Sequence, residues 1–234
     1  MSQISDNLAQ VREKVFAATE RSGRVAEAVK LMVVSKTWPA EVVQKAVDAG
    51  QVIFGENRLQ EGEEKISAMS PALEWHFIGT LQSNKVRKVL PLFPVVHSIS
   101  SLKLARFTDR IAGELKLKPQ IFLEVNLGGE ESKGGFAKEA LIENLDELCG
   151  FENFSLQGLM CIPPRVESSE EARPWFAEMR EFQEDLRQRS GFALPELSMG
   201  MSSGYEVAIE EGSTIVRVGS AIFGARAAWN PSTK

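Results

Sequence analysis

The feature that most constrains the fold is a regular alternation of short β-rich apolar runs with longer amphipathic stretches. The predicted strands span residues 31–36, 52–57, 75–80, 95–99, 121–126, 156–162, 195–200 and 214–224. Helical patterns lie between them, and a further amphipathic helix precedes the first strand. Such alternation is typical of a parallel sheet whose strands are joined by crossover helices.

Eight strands in a chain of 234 residues match the usual size of a closed barrel, which is about 250 residues. We therefore expect an α/β protein that forms a single (β/α)8 TIM-type barrel with an extra N-terminal helix. One domain would cover residues 1–234. A doubly wound open sheet is the alternative, because alternation alone does not prove that the sheet closes.

The amino-acid composition limits the classes of binding partner that the chain can have. The 27 Lys and Arg residues against 32 Asp and Glu residues give a net charge of −5. This balance argues against a nucleic-acid binder that depends on neutralising phosphates. No apolar window reaches the ~20 residues of a membrane span, and the first helix lacks the continuous apolar core of a signal peptide. We expect a cytoplasmic monomer without nucleic-acid or membrane partners.

Lys36 ends the first predicted strand and is separated from the apolar residues 31–34 only by Ser35. A run that is apolar on both faces is typical of a buried parallel strand, so its last residue points to the barrel mouth, where active sites lie. Lys36 either extends into water or forms an imine with an aldehyde, since partial burial lowers the pKa of a lysine and activates its nitrogen. The aldehyde cofactor that proteins hold in this way is pyridoxal 5′-phosphate, which also requires a phosphate site.

Small and hydroxylated residues cluster in two segments near the C-terminus. Ser202, Ser203 and Gly204 precede a short predicted helix, and Gly219 and Ser220 follow "IVRV". Small residues leave backbone N–H groups accessible to an anion, and TIM barrels commonly bind phosphate with the loops after strands seven and eight. The first segment alone could be a flexible connection, but its pairing with the second favours a phosphate site.

Arg217 lies two residues before Gly219, so both face the same side of the strand. One interpretation is an ion pair with a barrel carboxylate such as Glu124. The other is contact with the pyridine nitrogen of the cofactor. A guanidinium stays protonated and cannot accept a proton, so it would keep that nitrogen neutral and weaken the ring as an electron sink.

Five segments resemble the pyridoxal phosphate homeostasis proteins, in the order in which that family has them. They span residues 33–66, 73–99, 124–136, 158–163 and 197–224. The most specific parts are "WHFIGTLQSNK" and the "GMS" and "VRVGSAIFG" sequences of the last segment. The resemblance implies a barrel like the N-terminal domain of alanine racemase, with pyridoxal 5′-phosphate bound as an aldimine.

The resemblance also implies roles for individual residues. Lys36 would be the aldimine lysine and Arg217 the partner of the pyridine nitrogen. The implied phosphate contacts are Ser202, Gly219 and Ser220, and the implied pocket lining is Asn57 and Met160. Two positions depart from the family pattern. Gly204 stands where an acidic residue is usual, which removes a possible helix cap, and Ser220 replaces a threonine but keeps its hydroxyl.

Likeness to racemases does not imply racemase chemistry. A two-base racemase needs a second proton-transfer group; in alanine racemase it is a tyrosine of an additional β domain, for which 234 residues leave no room. Tyr205 fits local packing, and His76 and His97 fit structural histidines as well as catalytic ones. We expect a carrier or buffer of pyridoxal phosphate in intracellular vitamin B6 homeostasis, not an enzyme, with apo-enzymes as recipients. A low-activity racemase-like enzyme is the alternative.

Overall fold

Eight parallel strands close into a barrel in the computed structural model, which describes residues 2–130 and 134–224. The strands are β1 (Lys30–Val34), β2 (Ile53–Glu56), β3 (Glu74–Phe77), β4 (Val95–Ile99), β5 (Gln120–Val125), β6 (Ser155–Cys161), β7 (Glu196–Met201) and β8 (Ile215–Val218). Each strand pairs with the next, and β8 pairs with β1. The predicted TIM-type barrel is therefore confirmed. Parts of the expected domain, residues 1, 131–133 and 225–234, lie outside the described residues.

Helices surround the barrel. They are α1 (Gln3–Arg21), α2 (Ala40–Asp48), α3 (Leu59–Ala68), α4 (Ser83–Val89), α5 (Leu102–Leu115), α6 (Lys138–Glu143), α7 (Leu145–Cys149), α8 (Arg173–Ser190), α9 (Tyr205–Glu210) and α10 (Ser220–Phe223). The expected extra N-terminal helix is α1, whose buried Leu8, Val11 and Val15 share one helical face. It begins at Ser2, whose hydroxyl accepts a hydrogen bond from the Ser5 amide. Within the described residues, no helix is both long and apolar enough to span a bilayer.

The last strand is shorter than predicted. It ends at Val218 rather than at residue 224, and residues 220–223 form the short helix α10. The physical cause is a turn at Gly219, where the Ile222 and Phe223 amides both donate to the Gly219 carbonyl oxygen. The apolar side chains of this segment belong to a helix that packs against α1.

The barrel has an outer and an inner core. The outer core lies between the sheet and the helices, as expected for crossover connections. The inner core is a smaller buried cluster of Met32, Val95, Phe122, Met160 and Ile215. Polar side chains also occupy the barrel interior. Because the C-terminal ends of parallel strands lie at the same edge, the residues that follow the strands meet at one mouth.

Candidate functional site

A cavity of about 280 Å³ opens at the C-terminal mouth of the barrel. It is close to the lower end of the range for small-molecule sites, roughly 300–1,000 Å³. Its lining includes most of the predicted site residues, namely Lys36, Asn57, Ser202, Arg217, Gly219 and Ser220. Met160 is not among the lining residues, because it is buried in the inner core.

Lys36 sits half-buried in a tight turn directly after β1. The Trp38 amide donates to the Ser35 carbonyl oxygen at 3.1 Å and closes this turn. Thr37 has a φ of +70°, a conformation that favours glycine in turns and costs a β-branched residue about 1–3 kcal/mol. A hydrogen bond of 2.7 Å from its amide to Glu61 Oε2 supports the conformation. The turn therefore directs Lys36 to the mouth at some cost in backbone energy.

The buried side chain of Lys65, on α3, stabilises this turn from the helical layer. Lys65 Nζ of α3 donates to the Ser35 carbonyl oxygen at 2.8 Å and to Glu56 Oε1 at 2.5 Å. The Ser35 hydroxyl donates to the same carboxylate oxygen at 2.7 Å. Burial raises the pKa of Glu56, and its interactions with Lys65 and Ser35 partly offset that effect. These contacts connect the ends of β1 and β2 immediately before Lys36 and Asn57.

Asn57 follows β2, lines the cavity and contains an unbonded acceptor. Its Oδ1 is buried and accepts no hydrogen bond within the described part of the chain. Leaving such a group unbonded costs roughly 1–3 kcal/mol. The residue lines the cavity while this oxygen is shielded from it, so the amide group would have to turn before Oδ1 could accept from a ligand.

The loops after β7 and β8 are joined through one hydroxyl. Ser202 Oγ accepts from the amide of Gly219 at 3.2 Å and from that of Ala221 at 3.4 Å. Because both contacts use the oxygen as an acceptor, the hydroxyl proton can be donated to an anion. A Cβ at Gly219 would lie 3.0 Å from the Val34 carbonyl oxygen, so this residue lets the loop approach β1 closely. Gly204 caps α9 without a side-chain hydrogen bond.

Arg217 extends from β8 toward the mouth and is only 5% exposed. Its Nη1 donates to the Ser198 carbonyl oxygen at 2.6 Å and to Ser198 Oγ at 2.8 Å, while Nη2 donates to the Cys161 carbonyl oxygen at 2.8 Å. Burial lowers the pKa of Arg217, and attraction to Cys161 and Glu124 opposes this. A guanidinium has five N–H donors, so donors remain that can face a ligand in the cavity.

The other candidate proton-transfer groups lie away from the cavity lining. His76 and His97 are buried inside the barrel and bond to each other, with 2.8 Å between Nδ1 and Nε2. Tyr205 is the buried first residue of α9, and burial raises its pKa to about 12. Burial likewise raises the pKa of the Cys161 thiol to about 12.

Sequence reasoning missed several lining residues. Trp38 lines the cavity and contacts Phe223, with 5.7 Å between ring centroids. Ile162 and Met201 also line it and are exposed at the rim. Both lie at the C-terminal ends of barrel strands, and that position was the available signal.

The residues around the cavity fit a small phosphorylated aldehyde. They supply the Lys36 amine, the buried Arg217 guanidinium and the Ser202 hydroxyl, which joins the loops after β7 and β8. Within the described residues, no group of His, Cys, Asp and Glu has an arrangement that could hold a metal ion. The buried guanidinium and the two loops of small residues suit an organic anion.

Three comparisons place the chain among known proteins. The family described as alanine racemase, N-terminal domain, matches residues 2–227. A pyridoxal phosphate homeostasis protein of Aquifex aeolicus (strain VF5) is 42% identical over 222 residues, which cover 94% of this chain and 97% of that protein. The solved structure of PipY from Synechococcus elongatus PCC7942, with PLP bound, has 38% identity and a TM-score of 0.85, and the match covers 94% of this chain and 100% of that one. An alanine racemase of Clostridium difficile 630 has 19% identity and a TM-score of 0.72 over 97% of this chain and 58% of that one; this likeness concerns the fold alone.

Proposed function

This chain belongs to the pyridoxal phosphate homeostasis protein family, within the wider alanine racemase N-terminal domain family, and on that premise we propose that it carries or buffers pyridoxal 5′-phosphate rather than acting as an enzyme. Lys36 would hold the cofactor as an imine at the barrel mouth. The proposal includes an intracellular place in vitamin B6 homeostasis, with pyridoxal-phosphate-dependent apo-enzymes as recipients.

The observation that carries this proposal is the lining of a single cavity. An amine, a guanidinium and the Ser202–Gly219 loop contact all face one space of about 280 Å³. An aldehyde that also bears a phosphate and a ring nitrogen would engage these three kinds of group at once. The PLP-bound structure of the PipY relative supports the choice of this ligand.

Lys36 would act as the nucleophile in a reaction that needs no further reagent. Its unprotonated nitrogen would bond to the aldehyde carbon, and the carbonyl oxygen would be released as water. The bound cofactor supplies a conjugated imine and a ring that can accept electrons. The turn from Ser35 to Trp38 limits the positions that the amine can reach, which lowers the entropic cost of the reaction.

Two parts of the chain would hold the phosphate and the pyridine ring of the cofactor. The Ser202 hydroxyl can donate to the phosphate, and Gly219 brings its loop close to β1 without steric hindrance. The remaining N–H donors of Arg217 would bond the pyridine nitrogen and keep it unprotonated. A ring held in this way stabilises a carbanion poorly, which suits storage of the cofactor better than catalysis.

The composition of the lining also supports a carrier. Apart from Lys36 and Arg217, the described side chains that line the cavity are apolar, hydroxyl or amide groups. None of these described groups is a tyrosine, histidine, cysteine or carboxylate that could serve as a second base opposite the lysine. The racemase-like alternative would need such a group.

Absorption spectroscopy tests the proposal. Pyridoxal phosphate added to the protein should produce a visible imine band that saturates with one cofactor per chain, and pyridoxal without the phosphate should bind much more weakly. Lys36→Ala should abolish the band, whereas Lys88→Ala, which changes an exposed lysine of α4, should leave it intact. A full band in Lys36→Ala would contradict the assignment.

A turnover assay separates carrier from enzyme. The cofactor-loaded protein is incubated with a panel of L-amino acids, and D-enantiomers, keto acids and amines are measured. The proposal predicts rates far below those of ordinary enzymes, which are about 1–10³ s⁻¹. Turnover within that range, abolished by Lys36→Ala, would contradict the carrier function.

A further inference from the structure

Four hydrogen bonds connect the floor of the barrel to Arg217 at its mouth. Arg217 Nη1 donates to Ser198 Oγ at 2.8 Å, and Ser198 Oγ lies 2.9 Å from His97 Nδ1. His97 Nε2 lies 2.8 Å from His76 Nδ1, and His76 Nε2 lies 2.8 Å from Glu74 Oε1. These side chains come from β3, β4, β7 and β8, so the connection crosses the barrel interior rather than following one strand.

The ends of this connection lie in different surroundings. Glu74 is the first residue of β3, and its side chain is 48% exposed at the floor. The other members are buried. The His97 ring stacks on Phe122, with 4.2 Å between centroids and 7° between planes, which restricts its rotation. A polar path of this kind is costly unless every member is bonded.

The polarity of the bonds follows from the chemistry of the two ends. Burial keeps the pKa of His97 well below its usual value, so its ring is neutral and carries one proton. The hydrogen bond from His76 lowers the pKa of Glu74, which is therefore a carboxylate that can only accept. His76 Nε2 then donates to Glu74. Ser198 Oγ accepts from Arg217 Nη1, and among the described residues His97 Nδ1 is the acceptor beside its hydroxyl, so the hydroxyl donates to His97 Nδ1. The single proton of His97 then lies on Nε2, which donates to His76 Nδ1.

The complete path then runs in one direction, from the guanidinium to the carboxylate. Each member donates to the next member toward the floor. The opposite direction would need a proton on Glu74 or a second proton on His76. The Ser198 oxygen lone pairs consequently face Arg217, which makes this oxygen a well-oriented acceptor for Nη1.

We propose that Glu74, His76, His97 and Ser198 form a positioning relay that orients the Arg217 guanidinium and couples the floor of the barrel to the cofactor ring. The part that concerns the cofactor rests on the proposed function. None of the four is a catalytic residue, because each acts through Arg217.

Other charged or titratable groups surround the relay and contribute to its electrostatics. On the floor, Lys30 of β1 pairs with Glu196 of β7 at 2.8 Å and also attracts Glu74. Near the mouth, Glu124 of β5 and Cys161 of β6 interact with Arg217. Burial raises the pKa of Glu124, and attraction to Arg217 opposes this.

Nitrogen NMR of the cofactor-free protein tests the relay without reference to cofactor binding. The chain contains two histidines, so their ring ¹⁵N signals can be assigned with a single His76→Gln variant. In the proposed direction each ring carries one proton, on Nε2. A proton on Nδ1 of His97, or a doubly protonated His76, would overturn the proposed direction.

Two variants test the coupling to the cofactor. Ser198→Ala removes one acceptor of Arg217 and should weaken pyridoxal phosphate binding about tenfold, equivalent to ~1.4 kcal/mol. Glu74→Gln changes a half-exposed residue far from the mouth, and should shift the absorption maximum of the bound cofactor relative to the wild type. Thr108→Val is the matched control, because Thr108 is buried on α5 and its Oγ1 has no hydrogen-bond partner in the described chain; it should leave affinity and spectrum unchanged.

The outcomes separate this inference from the proposed function. A wild-type protein that forms no imine band would refute the function, while the NMR tautomers would still decide on the relay. A normal wild-type band with wild-type affinity in Ser198→Ala and an unshifted spectrum in Glu74→Gln would refute the coupling alone. Circular dichroism of both variants checks that the fold is retained.

Discussion

Replacing Lys65 by methionine would remove the cation that compensates the buried carboxylate of Glu56. The two side chains are 5% and 0% exposed, and 2.5 Å separates Lys65 Nζ from Glu56 Oε1. Breaking a buried pair of this kind costs about 3–5 kcal/mol, a large part of a typical unfolding free energy of about 5–15 kcal/mol. The Ser35 carbonyl oxygen also loses its bond from Lys65. We therefore expect Lys65→Met to lower the unfolding free energy by about 3–5 kcal/mol at neutral pH.

The unfolding free energy lost in Lys65→Met should increase as the pH rises. Burial already raises the pKa of Glu56 in the folded state, and without Lys65 it rises further. The folded variant then binds a proton that the unfolded chain has released, so its stability falls as pH rises from the unfolded pKa through the folded one. Each unit of separation corresponds to about 1.4 kcal/mol. The deficit relative to wild type should accordingly be smaller near pH 5 than near pH 8.

Urea unfolding at several pH values measures this effect. Glu56→Gln combined with Lys65→Met should recover much of the loss, because it removes the buried charge. Arg189→Ala serves as the surface control: its pair with Asp185 is about half exposed, and such pairs contribute roughly 0.3–0.5 kcal/mol. A pH-independent loss below ~1 kcal/mol in Lys65→Met, or a double variant as unstable as the single one, would refute the reasoning.

Three further predictions concern single residues. Tyr205 is the one tyrosine of the chain, so ultraviolet titration should show a pKa of about 12 in the folded protein and about 10 in urea; stability should decrease as pH rises between these values, and a folded value near 10 would contradict its burial. Gly158→Ala would place a Cβ 1.8 Å from the Glu196 carbonyl oxygen, so β6 and β7 must separate and the urea midpoint should fall by the equivalent of about 3 kcal/mol; an unchanged midpoint would show that the strands adjust freely. Gly219→Ala would place a Cβ 3.0 Å from the Val34 carbonyl oxygen and should weaken pyridoxal phosphate binding about tenfold, whereas wild-type affinity would show that the loop does not approach the phosphate.

The barrel could be predicted because short β-rich apolar runs alternate with amphipathic helical stretches along the chain. Periodic patterns of this kind can be recognised without knowledge of tertiary contacts. The predicted end of β8 was wrong because the local pattern is ambiguous. The residues "AIF" are as compatible with a strand as with a helix, and the turn at Gly219 separates the two where this loop approaches Val34 of β1.

The site could be predicted in part because barrel closure gathers the C-terminal strand ends at one mouth. That geometry brings Lys36, Asn57 and Arg217 to the same cavity although they are distant in sequence. Their roles remain predictions. Met160 shows the limit of the argument. Its register partner is Ser198, three residues before the end of β7, so it lies in the inner core and not at the mouth.

Other features depend on registers and torsions that sequence patterns do not encode. The contact between His76 and His97 requires the pairing of His76 with Val95 on the neighbouring strand. The positive φ of Thr37 occurs at a residue type that rarely adopts it. The strained turn is explained only by hydrogen bonds that the fold supplies: Ser35 and Glu61 accept from the Trp38 and Thr37 amides, and Lys65 donates to Ser35.

Mass spectrometry after borohydride reduction tests the central claim most directly. Borohydride converts an imine to a stable secondary amine, so the cofactor stays attached to the lysine that held it. We expect one reduced cofactor per chain, on the peptide that contains Lys36, and no labelling of that peptide in Lys36→Ala. An unmodified Lys36, with the cofactor attached to a different lysine or to none, would contradict it.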